Sequence, residues 1–156
     1  MRTDAIYVST NGELKLFDRK LVVNRDSAYE MAKSGDTGAF LTPIEFAALG
    51  KNAPEPVHDR YKADVFSLGM TLLELGTFKR SASIYDWNNY TLNMNTLSDR
   101  LMELRGRYSS HIYELIREML RFEDRNRPDF IILKEYMNCN GPPMNNLNRL
   151  SLSVSW

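Results

Sequence analysis

The most apolar run in the chain covers residues 61–77, YKADVFSLGMTLLELGT. Its apolar positions keep to no single face. Val65, Phe66, Leu68, Met70, Leu72, Leu73 and Leu75 point around the whole circumference of a helix. A helix that is apolar all round has to be surrounded by other structure. The run is too long, and too rich in leucine and methionine, to be a strand. Asp64 is placed to cap or charge its first turn, and Gly76 to stop it. The pattern predicts a mainly α domain built around this buried central helix.

On the N-terminal side, residues 6–17 predict one small β-hairpin. Segments 6–9 and 13–17 favour strand. Asn11-Gly12 between them is the pair that two-residue turns require, because both central positions take φ > 0. Leu14 and Leu16 alternate with Glu13 and Lys15, so one face is apolar and the other polar. A lone hairpin is marginal in water, so this one has to lie on helices or on a partner. Residues 18–40 are poorly periodic, with a polar loop, SGDTG, at 34–38. TPIEFAAL at 42–49 predicts a short helix with Pro43 in its first turn, and 50–59, carrying Pro54 and Pro56, a surface loop.

Beyond the central helix, residues 79–95 are polar and aromatic without a firm period. Leu97, Leu101, Met102 and Leu104 predict another short helix. The best-patterned helix spans 109–121. Ser109 or Ser110 caps it, and Ile112, Leu115, Ile116, Met119 and Leu120 follow i, i+3, i+4, i+7, i+8 spacing. Asp129 starts a last helix, to 138, with Phe130, Ile131, Leu133 and Met137 as candidate contacts. Residues 1–138 thus read as one domain. Residues 139–156, with Gly141-Pro142-Pro143, read as a polar tail that stays disordered unless something holds it.

Charge and composition narrow the function classes. The 156 residues carry 20 Lys and Arg against 20 Asp and Glu, so no global field draws the chain to nucleic acid or anionic membrane. Cys139 is the one cysteine, which excludes an internal disulfide and cannot alone make a zinc site. His58 and His111 stand far apart and in no metal-type spacing, so both are expected at the surface or at caps, with no metal or cofactor. No stretch has the apolar core of a signal peptide or the roughly 18 apolar residues of a membrane span. The expected setting is intracellular, soluble or bound into an assembly, with cytoskeletal or ciliary structures and organelle complexes both compatible.

Four segments, in order, carry a family resemblance: GELKLFD at 12–18, TPIE at 42–45, KADVFSLG at 62–69 and MLRFEDRNRPDF at 119–130. Together they resemble the C-terminal lobe of a eukaryotic protein kinase over about residues 1–138. GELKLFD resembles the segment ending in D-F-G, and TPIE the A-P-E that closes the activation segment, which makes 18–45 activation-segment-like. KADVFSLG resembles D-x-W-S-x-G of the lobe's central helix, and the last segment the M-L-x-x-D-P-x-x-R-P element. The resemblance implies an ion pair between Arg127 and the glutamate of A-P-E. Ile44 stands at that glutamate's place and Glu45 one residue later. It also implies that Asp64, whose family role is to hold the catalytic loop, remains as a helix N-terminal charge.

The same comparison implies lost chemistry. Phosphoryl transfer needs a glycine-rich loop, a strand lysine, a catalytic aspartate and two metal ligands. The loop, lysine and H-R-D would all stand before Met1. Ala5 falls at the metal-binding asparagine. Asp18 keeps the D of D-F-G but is followed by Arg19 and Lys20, which compensate its charge and make a poor magnesium site. The expectation is a pseudokinase-like structural or docking subunit, with no catalytic, cofactor or metal residue and no small-molecule substrate. The alternatives are one half of a split kinase completed by another chain, and a truncated product with no settled role.

The expected partners are proteins, with no nucleic acid and no membrane insertion. They would cover the central helix, which the family packs against a preceding helix, and the tail, where Trp156 is a candidate anchor. Tyr85, Trp87 and Tyr90 are candidates for an interaction patch or for packing under a loop. Ser27, Tyr29, Ser34 and Thr37 are hydroxyls that phosphorylation would find in an activation segment, with untouched loop hydroxyls as the plainer reading.

Overall fold

A computed structural model describes residues 6–16, 28–33 and 40–138. Strands β1 (Ile6–Val8) and β2 (Leu14–Leu16) open the chain as an antiparallel hairpin, with Ile6 opposite Leu16 and Val8 opposite Leu14. Helices α1 (Ala28–Lys33), α2 (Pro43–Gly50) and α3 (Arg60–Thr77) follow. A 3-10 turn at Ser81–Ile84 leads into a second small hairpin, β3 (Tyr85–Asp86) with β4 (Thr91–Leu92). Helices α4 (Met94–Arg107), α5 (Ser110–Met119) and α6 (Phe130–Asn138) complete the described chain. Among the described residues the protein is mainly α, with its small strands confined to the two hairpins.

The first hairpin does not turn on two residues. The Gly12 amide donates to the Ser9 carbonyl and the Ser9 amide to the Glu13 carbonyl, both at 2.9 Å. Only Gly12, at φ 84°, is left-handed in this turn. A type I turn followed by a glycine bulge explains this, because that arrangement needs one φ > 0 position rather than two. Asn11 therefore needs no strained backbone.

Helix α3 is the centre of the molecule. Its N-cap is Asp59, not Asp64: one carboxylate oxygen of Asp59 accepts from the amides of Tyr61 (3.0 Å) and Lys62 (3.2 Å). Asp64 sits past the first turn, exposed. The stop is not Gly76 either, since the helix runs on to Phe78, which caps it in the left-handed conformation at φ 55°. Val65, Phe66, Met70 and Leu73 are fully buried. Each such side chain contributes about 1.5–3 kcal/mol of transfer free energy. The polar residues of this buried helix are satisfied locally. The Thr71 and Thr77 hydroxyls donate to the carbonyls of Ser67 and Leu73, and the Ser67 hydroxyl to that of Phe40. Gly69 faces the end of α5, where a Cβ would meet Met119 and Leu120 at 3.0 Å, so its lack of a side chain sets how closely the two helices approach.

The core lies on both sides of α3. One cluster joins it to α2, the second hairpin and α4 through residues such as Phe46, Phe66, Leu73, Ile84 and Leu104. A smaller one, Val65, Leu115, Met119, Leu133 and Tyr136, joins it to α5 and α6. Helix α5 is capped by Ser109. Asp129 accepts from the Ile132 amide at 2.9 Å and starts α6. The buried face of α6 is Ile132, Leu133 and Tyr136, whereas Phe130, Ile131 and Met137 are exposed. Of the four contacts expected there, only Leu133 is in the core. Residues 79–95, aperiodic in sequence, hold the second hairpin, whose two-residue strands are too short to show alternation.

Candidate functional site

The N-terminus of α2 gathers a set of buried polar groups. Thr42 is the N-cap and Pro43 the first helical residue. The Glu45 carboxylate reaches back to the cap, where one oxygen, Oε2, accepts from the Thr42 amide (2.8 Å) and hydroxyl (2.7 Å). This reciprocal capping box satisfies amides that the helix itself cannot. It also holds a buried carboxylate in one orientation.

The other oxygen, Oε1, lies 3.4 Å from Nε2 of His58, whose side chain is only 4% exposed. His58 is therefore not the surface or cap residue expected from sequence. Its Nδ1 sits 2.7 Å from the Pro56 carbonyl, and since a carbonyl only accepts, Nδ1 carries the hydrogen. The loop 51–59 also brings Glu55 to this point. Ligand atoms of Glu45, Glu55 and His58 all lie within 4.8 Å of one another, a cluster that no sequence spacing announced. A cavity of about 260 Å³ lined by Glu55, Pro56, Val57, His58 and Arg60 opens beside it.

Glu45 and Arg127 do not form the ion pair that the resemblance implies. Glu45 is taken by Thr42 and His58. Arg127, fully buried, pairs with Asp124 at 3.0 Å and donates to the carbonyls of Lys62, Arg121 and Phe122. Burial pulls its pKa below the usual guanidinium value, and the Asp124 carboxylate opposes that; Glu45 adds a smaller effect through space. The arginine ties the first turn of α3 to the segment after α5.

The aromatic candidates resolve toward packing. Tyr85 is buried and donates to the Leu41 carbonyl at 2.7 Å, so its side chain packs within the fold. Phe46 packs T-shaped against Tyr85 and Trp87, each with centroids 5.0 Å apart, and Tyr90 lies 5.5 Å away. Trp87 keeps 37% of its surface exposed. Tyr29, one of the activation-segment hydroxyls, is buried and donates to the Ala53 carbonyl at 2.7 Å. Modification would first have to pull it out of the fold.

Cover over α3 is incomplete on one edge. Leu68 and Leu72 are half-buried and Leu75 is 46% exposed, at i, i+4, i+7 spacing. Leu72 and Leu75 line a groove together with Ile112 and Leu115 of α5, Leu104 and Tyr108. Its volume is about 270 Å³, with walls of apolar and aromatic side chains and Gly76. A wider groove of about 500 Å³ between α4 and α5 has mixed walls, where buried Glu118 pairs with Arg117 and Arg121. Ala5, Asp18, Arg19, Lys20, Ser27, Ser34, Thr37 and Trp156 lie outside the described residues. Among the described residues no helix is long and apolar enough to cross a membrane.

Compared with known proteins, the chain matches the family model for protein tyrosine and serine/threonine kinases over residues 1–137. No curated protein and no solved structure matches it.

Proposed function

This chain belongs to the protein tyrosine and serine/threonine kinase family, and we propose that it serves there as a non-catalytic docking module rather than a phosphotransferase. The observation that carries this reading is the apolar groove between α3 and α5. Its walls offer few polar groups to orient a small molecule, and Leu72 and Leu75 with Ile112 present an apolar edge that another helix matches. The occupant is the apolar edge of an amphipathic helix on another protein. Exposed apolar surface of this kind is otherwise a liability in water.

Two sequence features support the non-catalytic part. Alanine at position 5 has no lone pair for a metal, and Arg19-Lys20 after Asp18 already compensates the one retained carboxylate. The competing reading, one half of a split kinase, rests on that retained Asp18.

Two measurements separate them. A photo-crosslinker at position 75 should map to a helical segment of one partner, and Ile112→Glu should abolish that crosslink while the chain stays folded. A chain that elutes as a monomer from native extracts, unchanged by Ile112→Glu, would sink the docking reading. ATP with magnesium should leave the melting temperature unchanged; a shift that Asp18→Asn removes would establish the split kinase instead.

A further inference from the structure

We propose that Glu45, Glu55 and His58 form a site for one divalent transition-metal ion, with Zn²⁺ the best match to the donor set. Nδ1 donates to the Pro56 carbonyl, so Nε2 is the ring atom left to bind a metal, and it faces Oε1 of Glu45. A metal cation seated between them binds both lone pairs at once. The 3.4 Å separation is longer than a good N–H···O bond, about 2.7–3.2 Å. It is, however, the spacing of two ligands bound about 2.1 Å from one tetrahedral ion, which stand roughly 3.4 Å apart.

The surroundings are those of ligands held in place. A metal-binding histidine typically donates its other ring N–H to a backbone carbonyl, which fixes its tautomer and orientation, and Pro56 supplies that acceptor. Glu45 is oriented in the same way by the Thr42 amide and hydroxyl on its second oxygen. The third ligand is already within 4.8 Å. Glu55 also lies 3.7 Å from Arg60, whose side chain is 77% exposed. The cavity beside Glu55 and His58 leaves room for water at a fourth position. One imidazole and two carboxylates suit Zn²⁺, whereas Cu(I) prefers sulfur and Mg²⁺ an all-oxygen shell. The ion would clamp the start of α2 to the loop that ends at Asp59, the cap of α3.

The test is Zn²⁺ titration of the full chain by calorimetry, with Co²⁺ as an optical probe. One Zn²⁺ should bind per chain and raise the melting temperature, and Co²⁺ should give the intense visible bands of a tetrahedral site. Glu55→Gln and His58→Gln should each weaken binding at least tenfold, while His111→Gln and Cys139→Ser leave it unchanged. Because Glu55 is only partly buried, its variant stays informative if the His58 variant fails to fold. The proposal is overturned by absence of stoichiometric binding, by full affinity in Glu55→Gln, or by loss of binding in the His111 or Cys139 variants.

Discussion

The guanidinium carbon of Arg127 lies 4.8 Å from the centre of the Phe66 ring, so the cation is stacked on the most buried aromatic of the central helix. The same guanidinium donates to three backbone carbonyls and to Asp124. Arginine's planar fork meets these acceptors together, and lysine's point charge does not. Arg127→Ala should cost about 3–5 kcal/mol in urea unfolding, because it leaves buried acceptors and a carboxylate without their partner. Arg127→Lys should recover only part of that.

Gly69 sets the distance between α3 and α5. Gly69→Val places branched carbons where even a Cβ already stands 3.0 Å from Met119 and Leu120. The expected loss is about 2 kcal/mol from overpacking, read as a lower urea midpoint at an unchanged slope.

Much of this architecture is legible in the chain. Long elements with a strong apolar period, such as α3 and α5, announce themselves, and capping chemistry marks the starts of α2, α5 and α6. What escapes is whatever depends on contacts distant in sequence. His58 looks like a loop histidine until the fold lays it against Glu45. Glu45 and Arg127 carry the right charges for a pair, yet a local capping box and Asp124 take their hydrogen bonds first. Tyr85 and Trp87 stand in an aperiodic segment, and only the ring of Phe46 shows why they are aromatic.

Leu75 is the opposite case, an apolar residue that the fold leaves 46% exposed. Leu75→Glu should change stability by no more than about 0.5 kcal/mol, as for an ordinary surface substitution. It should lower the binding of an apolar dye to the native chain, measured by fluorescence.

Burial raises the pKa of Tyr85 well above 10.0, and the nearby Glu45 carboxylate adds to this while Arg127 opposes it. In the unfolded chain the phenol ionises near pH 10, but in the fold it keeps its proton. Above that pH the unfolded state binds fewer protons, so stability present below about pH 10 falls as pH rises. Tyr85→Phe should be about 1 kcal/mol less stable at neutral pH, through the lost bond to Leu41. It should also show a shallower decline in alkali, measured by urea unfolding across the pH series.

The two unequal clusters flanking α3 imply an order of disassembly. Helix α6 belongs only to the smaller cluster, through Leu133 and Tyr136, with Phe130, Ile131 and Met137 in solvent. It can therefore detach while Phe66, Met70 and Leu73 stay packed on the other side. Amide hydrogens of residues 132–138 should exchange through such partial openings, well before those of 66–73, which are released only when the whole domain comes apart.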